Sequence, residues 1–305
     1  MTTETITPIA PATDAPRVEG GVMGRPRGRV AVAIMLTLSL LWLFPLFWAV
    51  LNSFRDYAYT ASHGYASIGG FTLNNFQDAW ARGNFTHTFL NSVRITAPAV
   101  ILTLLLASCA AFVLARFSFK LNLTMLGIFV SANLLPPQAL LVPIYRVYRL
   151  IPLPFWMSDS GTLLNSYWGL ILINTAFQTG FCTFVLSNYM KTLPHELYES
   201  AQVDGASIWR QFWQITMPLC RPPLAALAAL EVTWIYNEFF WATALMQSGE
   251  KFPVTSSLNN LRGQFFTDYN LLSAGSVIVA LPPILIFLML QKQFVSGLTL
   301  GATKG

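Results

Sequence analysis

Runs of sequence without a charged side chain decide what this chain can become. Residues 30–51, 95–115, 121–144, 161–190 and 271–291 contain no Asp, Glu, Lys or Arg, and a sixth apolar run, 222–246, contains only Glu231 and Glu238. Each is long enough to cross a hydrocarbon layer of ~30 Å, which takes about 20 residues of helix. Water cannot satisfy backbone groups at that depth, so every N–H and C=O must be paired within the segment, and helices do this. The runs therefore predict an all-α membrane protein with six transmembrane helices. Composition agrees: 10% of the residues are charged, 54% are hydrophobic and mean hydropathy is +0.52, which excludes an ordinary soluble domain.

The connections set an orientation. Residues 1–28 are rich in Thr, Pro, Ala and Gly without apolar period and read as a disordered cytoplasmic arm, leaving residues 29–305 as one membrane domain. Arg25, Arg27 and Arg29 immediately precede the first run, so the positive-inside rule holds that end in the cytoplasm. The run is too long for the core of a cleavable signal, and no small-x-small site follows it. Residues 52–91 should then lie outside and the basic turn 116–120 inside. Six spans place both termini in the cytoplasm of a multi-pass plasma-membrane protein. Pro136-Pro137 and Pro143 predict a kink or an early helix end in the third span, with Asn133 and Gln138 able to satisfy freed backbone groups. The net charge of +5 is spread along the flanks of apolar runs and predicts no nucleic-acid partner. Cys109, Cys182 and Cys220 fall in or beside apolar segments without paired spacing and read as packing residues.

The connection at 191–221 is the exception among the loops, because it has helical patterning of its own. Pro194 suits a first helical turn and Glu196 the positive end of a helix dipole, predicting a short helix to about Val203. Gly205 stops it, since glycine reaches the left-handed region without a Cβ clash. Ser207 can cap a second helix with Ile208, Trp209, Phe212, Trp213 and Ile215 on one face and Arg210, Gln211 and Gln214 on the other. Pro218 is expected to end the unit.

Nothing in the chain points to catalysis. It has no phosphate-binding G-x-x-x-x-G-K-[ST], no H-E-x-x-H, no paired C-x-x-C and no nucleophile elbow, so the sequence predicts neither an enzyme nor a metal site. Glu231 and Glu238, seven apart, are expected on one face of the fifth helix. Carboxylates at that depth serve either a proton relay or a paired structural role.

The helix–glycine–helix unit resembles the EAA loop of ABC-importer permeases: E-A-A, three residues, G, nine residues, I-x-L-P. Here it stands as Glu199-Ser200-Ala201, Gly205 and Ile215-Thr216-Met217-Pro218, with Ser200 and Met217 as departures. Asn237-Glu238-Phe239 is similar to the N-E-F of MalG-like carbohydrate-uptake permeases. Phe89-Leu90-Asn91-Ser92 and the tail Gly297-Leu298-Thr299-Leu300-Gly301-Ala302-Thr303-Lys304-Gly305 resemble that family's second-span entry and closing G-L-T-x-G-A-x-K-G.

The resemblance implies a fold, a function and partners. The fold would be the six-helix ABC-importer permease with a cytoplasmic coupling helix. The chain would pair with a homologous second permease, two ATP-binding subunits and an extracytoplasmic sugar-binding protein, in membrane lipid. It would hold no cofactor itself, ATP and Mg being bound by the ATPase subunits. Glu199, Ser200, Ala201, Asp204, Gly205, Ile215 and Pro218 would form the ATPase-coupling unit, Asn237, Glu238 and Phe239 would border the translocation path, and residues 247–270 would face the binding protein. Competing readings are a permease for peptides or polyamines, a proton-coupled secondary transporter, and a structural membrane subunit.

Overall fold

The computed structural model describes residues 26–263 and 266–299, with the side chains of 26–28 and 290–299 left aside. The expectations for the arm at 1–25 and for the last tail residues, 300–305, lie outside the described residues. Among the described residues the chain is helical without extended strands, the nearest approach to a sheet being two isolated bridges, Arg55 with Phe71 and Pro152 with Thr162.

The helices in chain order are α1 (Pro26–Ser53), α2 (Tyr57–His63), α3 (Asn74–Arg82), α4 (Phe85–Arg116), α5 (Asn122–Ala132), α6 (Pro137–Leu150), α7 (Tyr167–Met190) and α8 (Glu196–Val203). They continue as α9 (Ile208–Arg210), a π-helical turn (Gln211–Thr216), α10 (Met217–Leu219), α11 (Arg221–Tyr236), α12 (Phe240–Leu245), α13 (Val254–Ser257) and α14 (Tyr269–Thr299).

The chain divides into two units, Met1–Ala49 and Val50–Gly305. The described part of the first is most of α1, apolar on all sides, with Trp42 81% exposed. Its polar side chains look after themselves: the Thr37 and Ser39 hydroxyls donate to the carbonyls four residues back, at 2.9 and 2.8 Å. A helix with this surface needs a hydrocarbon environment around it.

The second unit is built on α4, which packs along α7 and against α11; α11 packs on α14, α14 on α3, and α5 on α7. Small side chains line the buried faces of α4 and α7, among them Ala99, Ala107, Ser108, Ala111, Cys182 and Ser187. Close backbone approach over small residues is how helices associate in lipid, where apolar burial alone gives no drive. Gly180 shows the limit, since a Cβ there would run into the Phe129 carbonyl of α5. Asn133 crosses the same contact. In the amide orientation that satisfies both its atoms, it donates to the Phe177 carbonyl (2.9 Å) and accepts from the Phe181 N–H (3.2 Å).

Among the described residues four helical stretches are long and apolar enough to span a bilayer: Arg29–Ser53, Phe85–Arg116, Tyr167–Met190 and Tyr269–Met289. Two bent pairs bring the number to six if each is one span: Asn122–Ala132 with Pro137–Leu150 (96°), and Ile208–Leu219 with Arg221–Tyr236 (73°). The third apolar run is therefore broken rather than kinked. Pro136 keeps the preceding backbone out of the helical region and Pro137 starts a new helix at its first turn.

Residues 52–91, read as a polar loop, hold α2, α3 and the first turns of α4. Arg55, fully buried, organises the loop between them. The expected common face for Glu231 and Glu238 does not form. α11 ends at Tyr236, so Glu238 stands in the break before α12 and no longer follows the register of Glu231.

Candidate functional site

The helix–glycine–helix unit forms where the sequence puts it. At the end of α8 the Gly205 N–H donates to the Gln202 carbonyl (3.1 Å) and the Ala206 N–H to the Ala201 carbonyl (2.8 Å), with Gly205 at φ +74°. This is the paired Schellman closure of a helix end, which needs a left-handed residue at that position. Ser207 then caps the next turn, its hydroxyl accepting from the Arg210 N–H at 3.3 Å.

The second helix departs from the expected α-helical wheel. From Gln211 to Thr216 the ladder widens to π spacing, with the Met217 N–H reaching the Phe212 carbonyl and the Thr216 hydroxyl donating to the Gln211 carbonyl at 3.2 Å. A side-chain hydroxyl that takes a ladder acceptor competes with α-helical pairing, and π turns of this kind recur at functional sites. The chain also runs through Pro218 to Leu219 before it bends, because Pro218 falls at the first turn of α10, where a missing donor costs nothing. Gln211 is consequently buried, its amide donating to the Ala206 carbonyl at 3.0 Å, whereas Ile208, Trp209 and Trp213 are left exposed.

The unit is pinned to the end of α4. Tyr198 and Phe212 are buried in one cluster with Phe112, Leu186 and Met190, and Ile215 and Met217 pack on its edge. The Thr216 hydroxyl has already given its proton to Gln211, so Tyr198 donates to Thr216 across 3.0 Å. Burial pushes the Tyr198 hydroxyl up and keeps it a donor. On its other side the Arg116 guanidinium lies 4.7 Å above the Tyr198 ring and 3.3 Å from His195 Nδ1.

This anchoring sorts the motif residues. Ala201 faces inward with Tyr198, and the three positions just before Gly205 are exposed, as are Glu199, Ser200 and Leu197. Asp204 and Pro218 are exposed and Ile215 is half-buried. The result is a short helix on a rigid mount with an acidic and apolar outer face. Arg116 and Tyr198, which hold that mount, were not singled out by the sequence. Arg116 reads there only as the basic end of a span.

The second candidate region is the break after α11. Both Glu238 carboxylate oxygens are engaged by backbone donors, Trp241 N–H at 2.6 Å and Ala242 N–H at 3.0 Å, so the side chain caps α12. Asn237 returns its amide to the Thr233 carbonyl (2.9 Å), and Asn237 and Phe239 are exposed. Glu231 is fully buried, with Oε1 accepting from the Cys182 thiol at 3.1 Å and Oε2 unpartnered.

A third set of contacts holds the segment after α12. Asn91 donates to the Glu250 and Phe252 carbonyls (2.6 and 3.1 Å) and accepts from the Tyr167 hydroxyl (2.7 Å), and Ser92 accepts from the Val254 N–H (2.9 Å). The Asn-Ser pair is thus an anchor within α4. Asn165, in the left-handed region at φ 52°, accepts from the Gln247 and Ser248 N–H groups (3.0 and 3.1 Å), and Lys251 pairs with Asp159 at 2.7 Å. No sequence signal pointed to Asn165. Among the described residues no His, Cys, Asp and Glu group is arranged to hold a metal.

Residues 103–300, which contain α7 to α12 and the whole helix–glycine–helix unit, match the model of the binding-protein-dependent transport system inner membrane component family. The chain belongs to that family. Among curated relatives, this permease is 31% identical over 77% of its length to the melibiose/raffinose/stachyose import permease protein MelC of Bacillus subtilis, covering 82% of that protein. It is 29% identical over 89% of its length to the diacetylchitobiose uptake system permease protein NgcG of Streptomyces coelicolor, covering 87% of it. In fold the permease is similar to a chain of a bacterial ABC transporter involved in the import of the acidic polysaccharide alginate, with a TM-score of 0.72, 21% identity and coverage of 88% and 96% of the two chains. It is thus a multi-pass membrane subunit of an ABC importer.

Proposed function

We propose that this permease carries a sugar or oligosaccharide, delivered by an extracytoplasmic binding protein, through a pathway it shares with a homologous second permease. Two ATP-binding subunits supply the energy and hold ATP and Mg. The observation that carries the coupling role is the exposed outer face of α8, with Glu199 and Leu197, held to the second helix by the Tyr198–Thr216 hydrogen bond and to the end of α4 by Arg116 over the Tyr198 ring. A partner that pushes on α8 moves a span rather than a loose loop. The sugar class is supported by the named substrates of MelC and NgcG. Asn237 and Phe239, exposed at the helix break, border the pathway, and residues 247–270 meet the binding protein.

Copurification of the tagged permease with its neighbours tests the assignment, the expected companions being a second permease, an ATPase and a sugar-loaded binding protein. Glu238 adds a functional test. Its oxygens are committed to the α12 backbone, so it cannot give and take protons without uncapping that helix. Uptake is therefore expected to need ATP and to survive collapse of the proton gradient. Loss of uptake on adding an uncoupler, with ATP held constant, would favour a proton-coupled carrier.

Both termini and the 191–221 connection are assigned to the cytoplasm. Cysteine at Ser62, exposed in α2, is expected to react with an impermeant maleimide from outside, and cysteine at Gln202 only after the membrane is opened. Background labelling should be low, because Cys182 and Cys220 are buried and Cys109 half-buried. The reverse pattern would overturn the orientation and the coupling role together.

A further inference from the structure

Two clefts meet beside the end of α4 and share Phe117 and Ile208 as a common wall. One, of about 240 Å³, is lined by apolar side chains, among them Cys109, Val113, Trp209 and Phe212. The other, of about 380 Å³, is edged by Arg116, Gln202, Ser207 and Gln211. From this pairing of an apolar and a basic chamber we infer a binding site for an anionic phospholipid, with an acyl chain along Val113 and Trp209 and the phosphate at Arg116.

The occupant follows from charge and from continuity. Arg116 carries a full charge, and among the described residues no carboxylate forms an ion pair with it. Its contacts are a single Nη1 approach to His195 and the face of Tyr198, which leaves most of its five N–H donors free for phosphate oxygens. The apolar chamber opens from the side of α4 that bears the exposed Leu105, Leu106 and Val113, so it continues the surface that the span offers to lipid. Arg116 ends that span, and Trp209, which lines the adjoining apolar chamber, is exposed, the placement expected of a side chain at headgroup depth. A free phosphate would leave the apolar chamber unfilled. The inference goes beyond sugar transport and needs only that this end of α4 meets a leaflet.

The test uses the full-length permease, alone and assembled with its ATPase, in phosphatidylcholine vesicles containing a trace of photoactivatable phosphatidylglycerol or, separately, phosphatidylcholine probe. Peptides spanning 109–117 and 208–213 should be labelled by the phosphatidylglycerol probe in excess over the other, in both states. Arg116→Gln should cut that excess by about fivefold, the ~1 kcal/mol that one basic residue contributes at an anionic surface, and Gln202→Glu, which sets a negative charge at the edge of the same cleft, should lower it as well. Arg116→Lys should retain most of it. Equal labelling by both probes, or labelling unchanged in Arg116→Gln and Gln202→Glu, would reduce the clefts to ordinary lipid contact and overturn the site. Labelling that disappears when the ATPase is bound would assign the surface to the protein partner and overturn it as well.

Discussion

In proteoliposomes holding the assembled transporter, Glu199→Ala or Gly205→Val in this permease is expected to abolish sugar-stimulated ATP hydrolysis while membrane insertion and permease pairing persist. The two substitutions act on different links. Glu199 is exposed on α8, so its removal leaves the fold of the free chain almost unchanged. In a docked complex the same carboxylate would be partly desolvated against a basic group of the ATPase, and stripping one side of such a pair can cost ~3–5 kcal/mol when burial is complete. Gly205 acts through the backbone. A Cβ there would meet nothing within 4 Å, so sterics inside the chain do not forbid a side chain, but φ +74° does penalise one. A β-branched residue in the left-handed region costs roughly 1–2 kcal/mol and is relieved by reopening the Schellman turn, which re-aims α8 against the second helix. Asparagine and aspartate tolerate that region better. Gly205→Asp is therefore expected to impair docking mainly by placing a charge on the outer face, and Gly205→Asn should be the mildest of the three. Stimulated hydrolysis and sugar uptake at wild-type rates in the Glu199→Ala, Gly205→Val double variant would remove the coupling assignment.

What could be read in advance divides along physical lines. Uncharged runs announce helices because hydrocarbon forbids an unpaired backbone, and Gly205 announces its turn because one conformation there nearly requires glycine. The breaks were harder. Pro136-Pro137 marks a discontinuity, but the 96° between α5 and α6 depends on how α5 seats on Gly180, a contact between distant segments. Between Tyr236 and Phe240 there is no proline or glycine to mark the break, and the Glu238 carboxylate supplies the cap that lets a new helix begin. The π turn is equally silent in sequence, since it rests on Thr216 choosing the Gln211 carbonyl while Tyr198 donates to Thr216. Of the helix–glycine–helix unit, therefore, the turn and caps were legible. The burial of Ala201 and Gln211 and the exposure of Trp209 were not, because they are set by packing on α4.

The largest expected loss of structure comes from Arg55, a charged side chain with no exposed surface in a segment that reads as polar loop. Its guanidinium donates to Asn52 Oδ1 (2.9 Å), the Tyr65 carbonyl (2.8 Å), the Gly64 carbonyl (3.1 Å) and Ser67 Oγ (2.6 Å). Its own carbonyl and that of Ser53 accept from Asn75 on α3, at 2.8 and 3.0 Å, and Asn270 at the start of α14 donates to the Asn52 carbonyl and Thr60 Oγ1, both at 3.1 Å. One side chain thus closes the loop after α2, and its backbone is held in turn by α3. Hydrogen bonds to a charged donor contribute about 1.5–3 kcal/mol each, not additively, so Arg55→Ala should destabilise the segment by at least ~3 kcal/mol and leave buried carbonyls without donors. Arg55→Lys keeps the charge but not the planar fork that reaches two pairs of acceptors, and should recover only part of the loss. The expected result is rapid amide exchange and new protease cleavage within residues 55–72, while α4 and α7 remain protected by their own packing. Sugar delivery by the proposed binding protein should fall with it, because the loosened segment is tied to α14 through Asn270 and to α3 through Asn75. Exchange in residues 55–72 as slow in Arg55→Ala as in the natural protein would show that α3 and α14 hold the segment without the arginine, and the organising role would have to be withdrawn.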